Sequence, residues 1–98
     1  MALGTLVGFN VQKVTTTADT NITTAGSTMG NYVVARLVAA ANAATLKIYN
    51  KTTAAANEVN RLTAPANSAD ETSFPIRCDS TPIVQMSVNT AVAFVGVR

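Results

Sequence analysis

Residues 32–40 read YVVARLVAA, and whether this run is strand or helix decides the fold. As a helix it would align Val33, Leu37 and Ala40 or Ala41 on one face, and the Ala-rich tail that follows would suit it. As a strand it sets Tyr32, Val34, Arg36 and Val38 against Val33, Ala35, Leu37 and Ala39. The β-branched pair Val33-Val34 and the aromatic Tyr32 favour a pleated, half-buried surface, because χ1 of a β-branched residue is restricted in a helix. A strand leaving a Gly30-Asn31 turn is the stronger reading, with a helix over 32–44 as the alternative.

Outward from this run the chain reads as β. Residues 44–50 (ATLKIYN) put Leu46 and Ile48 on one face and Thr45, Lys47 and Tyr49 on the other. Residues 58–64 (EVNRLTA) form the next strand, reached through a polar, Ala-rich connector with room for one helical turn, and Pro65 ends it because it has no N–H to donate. Residues 66–71 (ANSADE) read as a turn. Residues 72–78 (TSFPIRC) align Phe74, Ile76 and Cys78, with Pro75 marking an edge or a bulge. Two final strands, from residue 83 and from residue 91, are predicted to form a tight hairpin across Asn89-Thr90. Toward the N-terminus, Leu3, Thr5, Val7, Phe9 and Val11 alternate with Gly4, Gly8, Asn10 and Gln12, which predicts a strand over 5–15. A polar excursion over 16–31 holds at most a short strand at Ile22–Thr24. Seven or eight short strands with turn signals between them predict an all-β fold, one small jelly-roll-like β-sandwich domain over residues 1–98, with 1–17 an edge strand or extended arm.

Composition narrows the function. The chain has 98 residues, 12% of them charged and 48% hydrophobic, with a formal net charge of +2. Charged residues usually make up about 25%, so the high-charge, low-hydrophobicity signature of disorder is absent. Seven scattered Lys and Arg residues form no phosphate-neutralising footprint, so no nucleic-acid partner is expected. No run of about 18 apolar residues predicts a membrane span, and the start lacks the basic region of a signal peptide. With no His and a single Cys, the chain lacks the ligand set of a zinc site and the imidazole of a Ser-His or Cys-His nucleophile. A lone Cys forms no intrachain disulfide.

The remaining candidate chemistry reads as structural. Asp70-Glu71 and Asp79 are the only clustered carboxylates, and adjacent strand residues point to opposite faces, which is wrong for an acid–base pair across a cleft. Asp19, Asn21 and Thr23 alternate as oxygen ligands, but with too little charge for calcium. Cys78 and Met86 read as core, and Phe94 likewise. No glycine pattern supports nucleotide binding, so no cofactor and no enzymatic activity are expected.

From Ala44 onward, Leu46, Ile48, Tyr49 and Asn50 with the polar turn 51–55 lead to a short strand (Val59, Leu62). An Ala-Pro-Ala-Asn corner (64–67), a Phe-containing strand (Phe74, Ile76) and two closing strands (83–88 and 91–97) follow in order. This layout, a little over half the chain, resembles that of small virion structural proteins of tailed bacteriophages. Such proteins often carry Gly in the turns where this chain has Lys51-Thr52 and Ser80-Thr81-Pro82. The resemblance implies a capsid decoration, or cement, protein on the capsid surface of the virion, with the major capsid protein as partner. The residues themselves point to assembly in a second way. The last strand is apolar on both faces, Val92 and Phe94 on one and Ala93, Val95 and Val97 on the other, and a monomer would expose one of them. Contacts with partners are therefore expected at Leu6, Phe9 and Val11, at Val95 and Val97, and at Tyr49, an amphipathic aromatic on a polar face. Self-association is expected as well, with a trimer as the predicted count. The alternative is a fibre-tip module that binds a host glycan through Thr- and Asn-rich loops, with Tyr49 stacking on the sugar.

Overall fold

The computed structural model describes residues 9–22, 31–78 and 80–97, and these form nine strands in two antiparallel sheets. The strands are β1 (Asn10–Val14), β2 (Thr20–Asn21), β3 (Asn31–Val38), β4 (Ala44–Asn50), β5 (Glu58–Ala64), β6 (Ala69–Glu71), β7 (Ile76–Cys78), β8 (Pro82–Met86) and β9 (Val92–Val97). The decisive run is strand: β3 pairs with β9 on one side and with β6 and β7 on the other.

One sheet, A, runs β1-β9-β3 and ends in β6 and β7, both paired to β3; the other, B, runs β2-β8-β4-β5. Because β6 and β7 pair with opposite halves of β3, they are one strand broken in the middle. The chain is thus a folded-back ribbon: β1 pairs with β9, β2 with β8, β3 with β6 and β7, and β4 with β5. Wound over two sheets, that pairing order is a jelly roll. The break is stitched by Thr72. Its N–H donates to the Ala35 carbonyl at 3.0 Å, and its Oγ1 accepts the Ala35 N–H at 3.1 Å. A hydroxyl there does the work of a ladder carbonyl, so Thr72 stays satisfied although it is buried.

Period two explains the core. Val14, Val33, Ala35, Leu37, Cys78, Ala93, Val95 and Val97 from sheet A meet Ala44, Leu46, Ile48, Leu62, Ala64, Val84 and Met86 from sheet B, with Ile22 following β2. Small residues on one sheet (Ala35, Ala93) and large ones on the other (Leu46, Ile48, Met86) let the layers interdigitate.

Five expectations are corrected. The segment 66–71 is not all turn, since Ala69–Glu71 form β6; Ser and Asp there mask a strand whose pairing comes from distant β3. The last two strands form no hairpin, because β8 belongs to sheet B and β9 to sheet A, so residues 87–91 cross between the layers with Ala91 buried at the crossing. Phe74 is outside the core, because the break at 72–75 carries it out of phase with Ile76 and Cys78, leaving it 69% exposed. Phe94 points outward and is half-buried. At the N-terminus the described strand is Asn10–Val14, and residues 5–8 of the expected strand lie outside the described residues. The short second strand is described at Thr20–Asn21 and Ile22 follows it outside the strand, while Thr23 and Thr24 of the expected strand lie outside the described residues.

Candidate interaction surface

With the odd positions of β9 turned inward, its even positions define the outer face of sheet A. The registers arrange that face in rows across the strands. Lys13, Phe94, Arg36 and Glu71 form one row, from edge strand β1 to edge strand β6. On one side of it run Val11, Gly96 and Val34, and on the other Val92, Val38 and Ala69. Two apolar rows thus flank one charged row. Phe94 stands directly between Lys13 and Arg36, whose alkyl stems suit covering a ring while the charges reach water.

Gly96 has a specific task in this face. A Cβ built there would lie 2.8 Å from Phe9 Cβ and 3.2 Å from Val34 Cγ2. The missing side chain therefore lets Phe9 fold over the sheet, and Val34 beneath is buried although it faces outward.

The outer face of sheet B is built differently. Between Ile48 and Tyr49 the register with β5 slips, so that Ile48 opposes Asn60 and Tyr49 opposes Glu58, with Val59 as the extra residue. This bulge turns Glu58 from the inward phase of Leu62 and Asn60 to the outer face. There Arg61 donates to it from Nε at 2.8 Å and from a terminal nitrogen at 2.9 Å. The hydrogen bond from Arg61 holds the Glu58 carboxyl below its ordinary value, and the carboxylate in turn raises Arg61. Lys47, directly opposite Arg61, adds to the pull on Glu58. An open depression beside Thr17, Thr45, Lys47, Gln85 and Ser87 lies on this face. Two of its groups are engaged within the protein: Ser87 Oγ accepts the Thr45 N–H at 2.8 Å, and Gln85 donates to Asp19 at 2.9 Å.

The expected contact residues separate on this frame. Val11, 47% exposed, and half-buried Phe9 lie together on the outer side of sheet A. Leu6 lies outside the described residues. Val95 and Val97 are corrected: both are fully covered by the protein's own core, because the strand's inward phase is odd. Tyr49 is corrected too. It is on the polar face, but at 5% exposure, between Ile83 on β8 and the bulged Glu58 on β5, it offers no ring face to a sugar or a partner. The last strand does not leave a bare apolar face either, since Val92 and Phe94 are half-buried. The exposed large hydrophobic residues among those described are Val11, Tyr32, Val59 and Phe74. Val11 lies on the β1 edge, Val59 on edge strand β5, and Phe74 in the break between β6 and β7. Tyr32 faces Arg77 of β7. Sequence periodicity missed Phe74 as an exposed residue; Pro75 was the one signal that the strand breaks there.

Among the described residues no group of three or more His, Cys, Asp or Glu side chains is placed to hold a metal ion. Asp70 and Glu71 face opposite sides, and Asp70 accepts the Thr63 N–H at 3.0 Å, tying β5 to β6. Cys78 is wholly buried. No family model, no curated protein and no solved structure matches the chain.

Proposed function

We propose that this is a non-enzymatic virion structural protein of the capsid decoration type, which binds the major capsid protein in an assembled head shell and stabilises it. The observation that carries the reading is the outer face of sheet A, where Val11 and Val34 beside Phe9 on one side and Val92 and Val38 on the other flank the Lys13–Phe94–Arg36 line, an arrangement that the outer face of sheet B, with Thr45, Lys47, Arg61 and Gln85, does not repeat. A mixed apolar and cationic face suits a large acidic or amphipathic surface better than a small ligand. The jelly roll supports the reading only as an architecture shared by capsid proteins, lectins and cupins, since a fold does not imply a function. Binding to the assembled lattice and not to free subunits shifts the equilibrium toward the shell by RT ln(1 + [L]/Kd) per site, and repeated sites multiply the effect. Self-association, with three copies around a threefold position, would present several such faces at once.

Particles with and without the protein test the reading. Those carrying it should survive heat or osmotic shock that opens the others, and its copy number should be of the order of the shell subunits. Equal survival, or a copy number suited only to a fibre tip, overturns the cement role.

A further inference from the structure

The row Lys13–Phe94–Arg36–Glu71 crosses the whole of sheet A and ends in opposite charges on its two edge strands. We propose that copies of this chain join head to tail, with β1 of one copy beside β6 of the next, so that Lys13 of one faces Glu71 of its neighbour and the row continues between copies.

Three features carry this. Each step from β1 through β9 and β3 to β6 is antiparallel, so β1 and β6 run in opposite directions, and a copy added at the sheet edge keeps the antiparallel alternation. The charges choose the pairing. Lys13 is the only charged residue of β1 and β6 carries Asp70 and Glu71, so two β6 edges together would oppose acid to acid, whereas β1 against β6 opposes base to acid. The exposed apolar residues fall in step as well. With Lys13 opposite Glu71, the antiparallel register brings Val11 opposite Ser73, next to Phe74, which places the 47% exposed and 69% exposed residues at one junction.

β5 packs against β3, β6 and β7, so the β5, β6 and β7 edges form one flank of the sandwich and β1 and β2 the other. The two surfaces that meet are thus different ones, and such a contact propagates into a ring or a filament rather than stopping at a two-fold dimer. The junction deepens the self-association part of the reading above but does not need a shell, and its test uses the protein alone.

The full chain is followed by sedimentation velocity and native mass spectrometry over a wide concentration range at low and high salt. Species larger than a dimer are expected, weakened by salt. Lys13→Glu, on an exposed edge position, and Glu71→Lys should each raise the concentration for half-assembly by about tenfold or more, because each opposes like charges. An equimolar mixture of the two variants should assemble again, since each supplies the charge that the other lacks. Should Glu71→Lys fail to fold because it faces Arg36, Phe74→Ser tests the same junction and should also weaken assembly. A monomer at every concentration, a dimer that grows no further, or assembly indifferent to Lys13→Glu and Phe74→Ser would overturn the proposal.

Discussion

The two sheets share one core but treat their outer faces in opposite ways. On sheet A the outward positions of β9 and β3 include Val92, Phe94, Val34 and Val38 together with Arg36, and Phe9 closes over one end. On sheet B the outward positions of β4, β5 and β8 include Thr45, Lys47, Arg61, Thr63 and Gln85, and the aromatic among them, Tyr49, is covered. The inward rows have to be apolar for the sandwich to fold, whereas the outward rows are free to differ. A β-branched residue satisfies a strand's backbone whether it is Val or Thr. The choice of Val on A and Thr on B therefore reports something other than strand formation, and this asymmetry is the ground on which A is proposed above as the face that meets a partner.

The sharpest way to break the asymmetry is at Gly96. A methyl group there meets Phe9 Cβ and Val34 Cγ2, which are close to the backbone and have little freedom to retreat. Gly96→Ala is expected to destabilise by about 1–3 kcal/mol, the usual cost of overpacking. In a protein of this size each kcal/mol lowers Tm by about 4–8 °C. In a Phe9→Gly background, which removes that Cβ, Gly96→Ala should cost much less, a coupling that a denaturant-melt double-mutant cycle reads directly. Thr45→Ala on sheet B should stay within about 0.5 kcal/mol of the parent, as surface substitutions usually do. If Gly96→Ala proves equally silent, Phe9 does not seal the outer face of A.

Much of this contrast was legible in the amino-acid order and part of it was not. Alternation located β3, β4, β5, β8 and β9, because each keeps a two-residue period long enough to read, and β5 ends at Ala64 as Pro65 requires. It failed at β6, three residues long and polar, which is a strand only because β3 lies beside it. It failed again at residues 89–90, where turn chemistry suits a hairpin and the choice between pairing and crossing to the other layer depends on β1, β3 and β4 competing for partners. For the candidate site, the phase of β9 decided the outcome. The two apolar faces are visible in the sequence but which one meets the core is not, so the sequence points Val95 and Val97 to a partner while they belong inside. Alternation puts Tyr49 on the outer face, but its burial rests on a bulge that no local pattern announces.

A second difference sits where β4 leaves sheet B. Lys51 follows it with φ of 81°, a left-handed conformation that a side chain resists and glycine accepts. Asn67, at φ of 57° in a second positive-φ turn among the described residues, already has the side chain most tolerant of that region. Lys51→Gly is therefore expected to stabilise by about 0.5–1 kcal/mol, whereas Asn67→Ala should destabilise. Equilibrium denaturation of the two variants compares them, and a Lys51→Gly loss as large as that of Asn67→Ala would refute the strain at Lys51.

The smallest effect concerns how sheet B keeps its outer face polar without self-repulsion. Lys47 and Arg61 oppose each other across β4 and β5, and the bulge brings Glu58 to the same face, where it takes two hydrogen bonds from Arg61. The hydrogen bond from Arg61 lowers the Glu58 carboxyl from its ordinary value of 4.5. A carboxyl that is more acidic in the folded state contributes stability that is complete above its unfolded value and is lost as pH falls through the lowered one. The wild type should therefore exceed Glu58→Gln in stability at neutral pH by a small, salt-sensitive margin, and the two should converge in acid. Denaturation midpoints measured from neutral pH downward at low and high salt read this difference. A gap that survives acidification would mean that the bulge itself, rather than the charge it delivers, is what Glu58 supports.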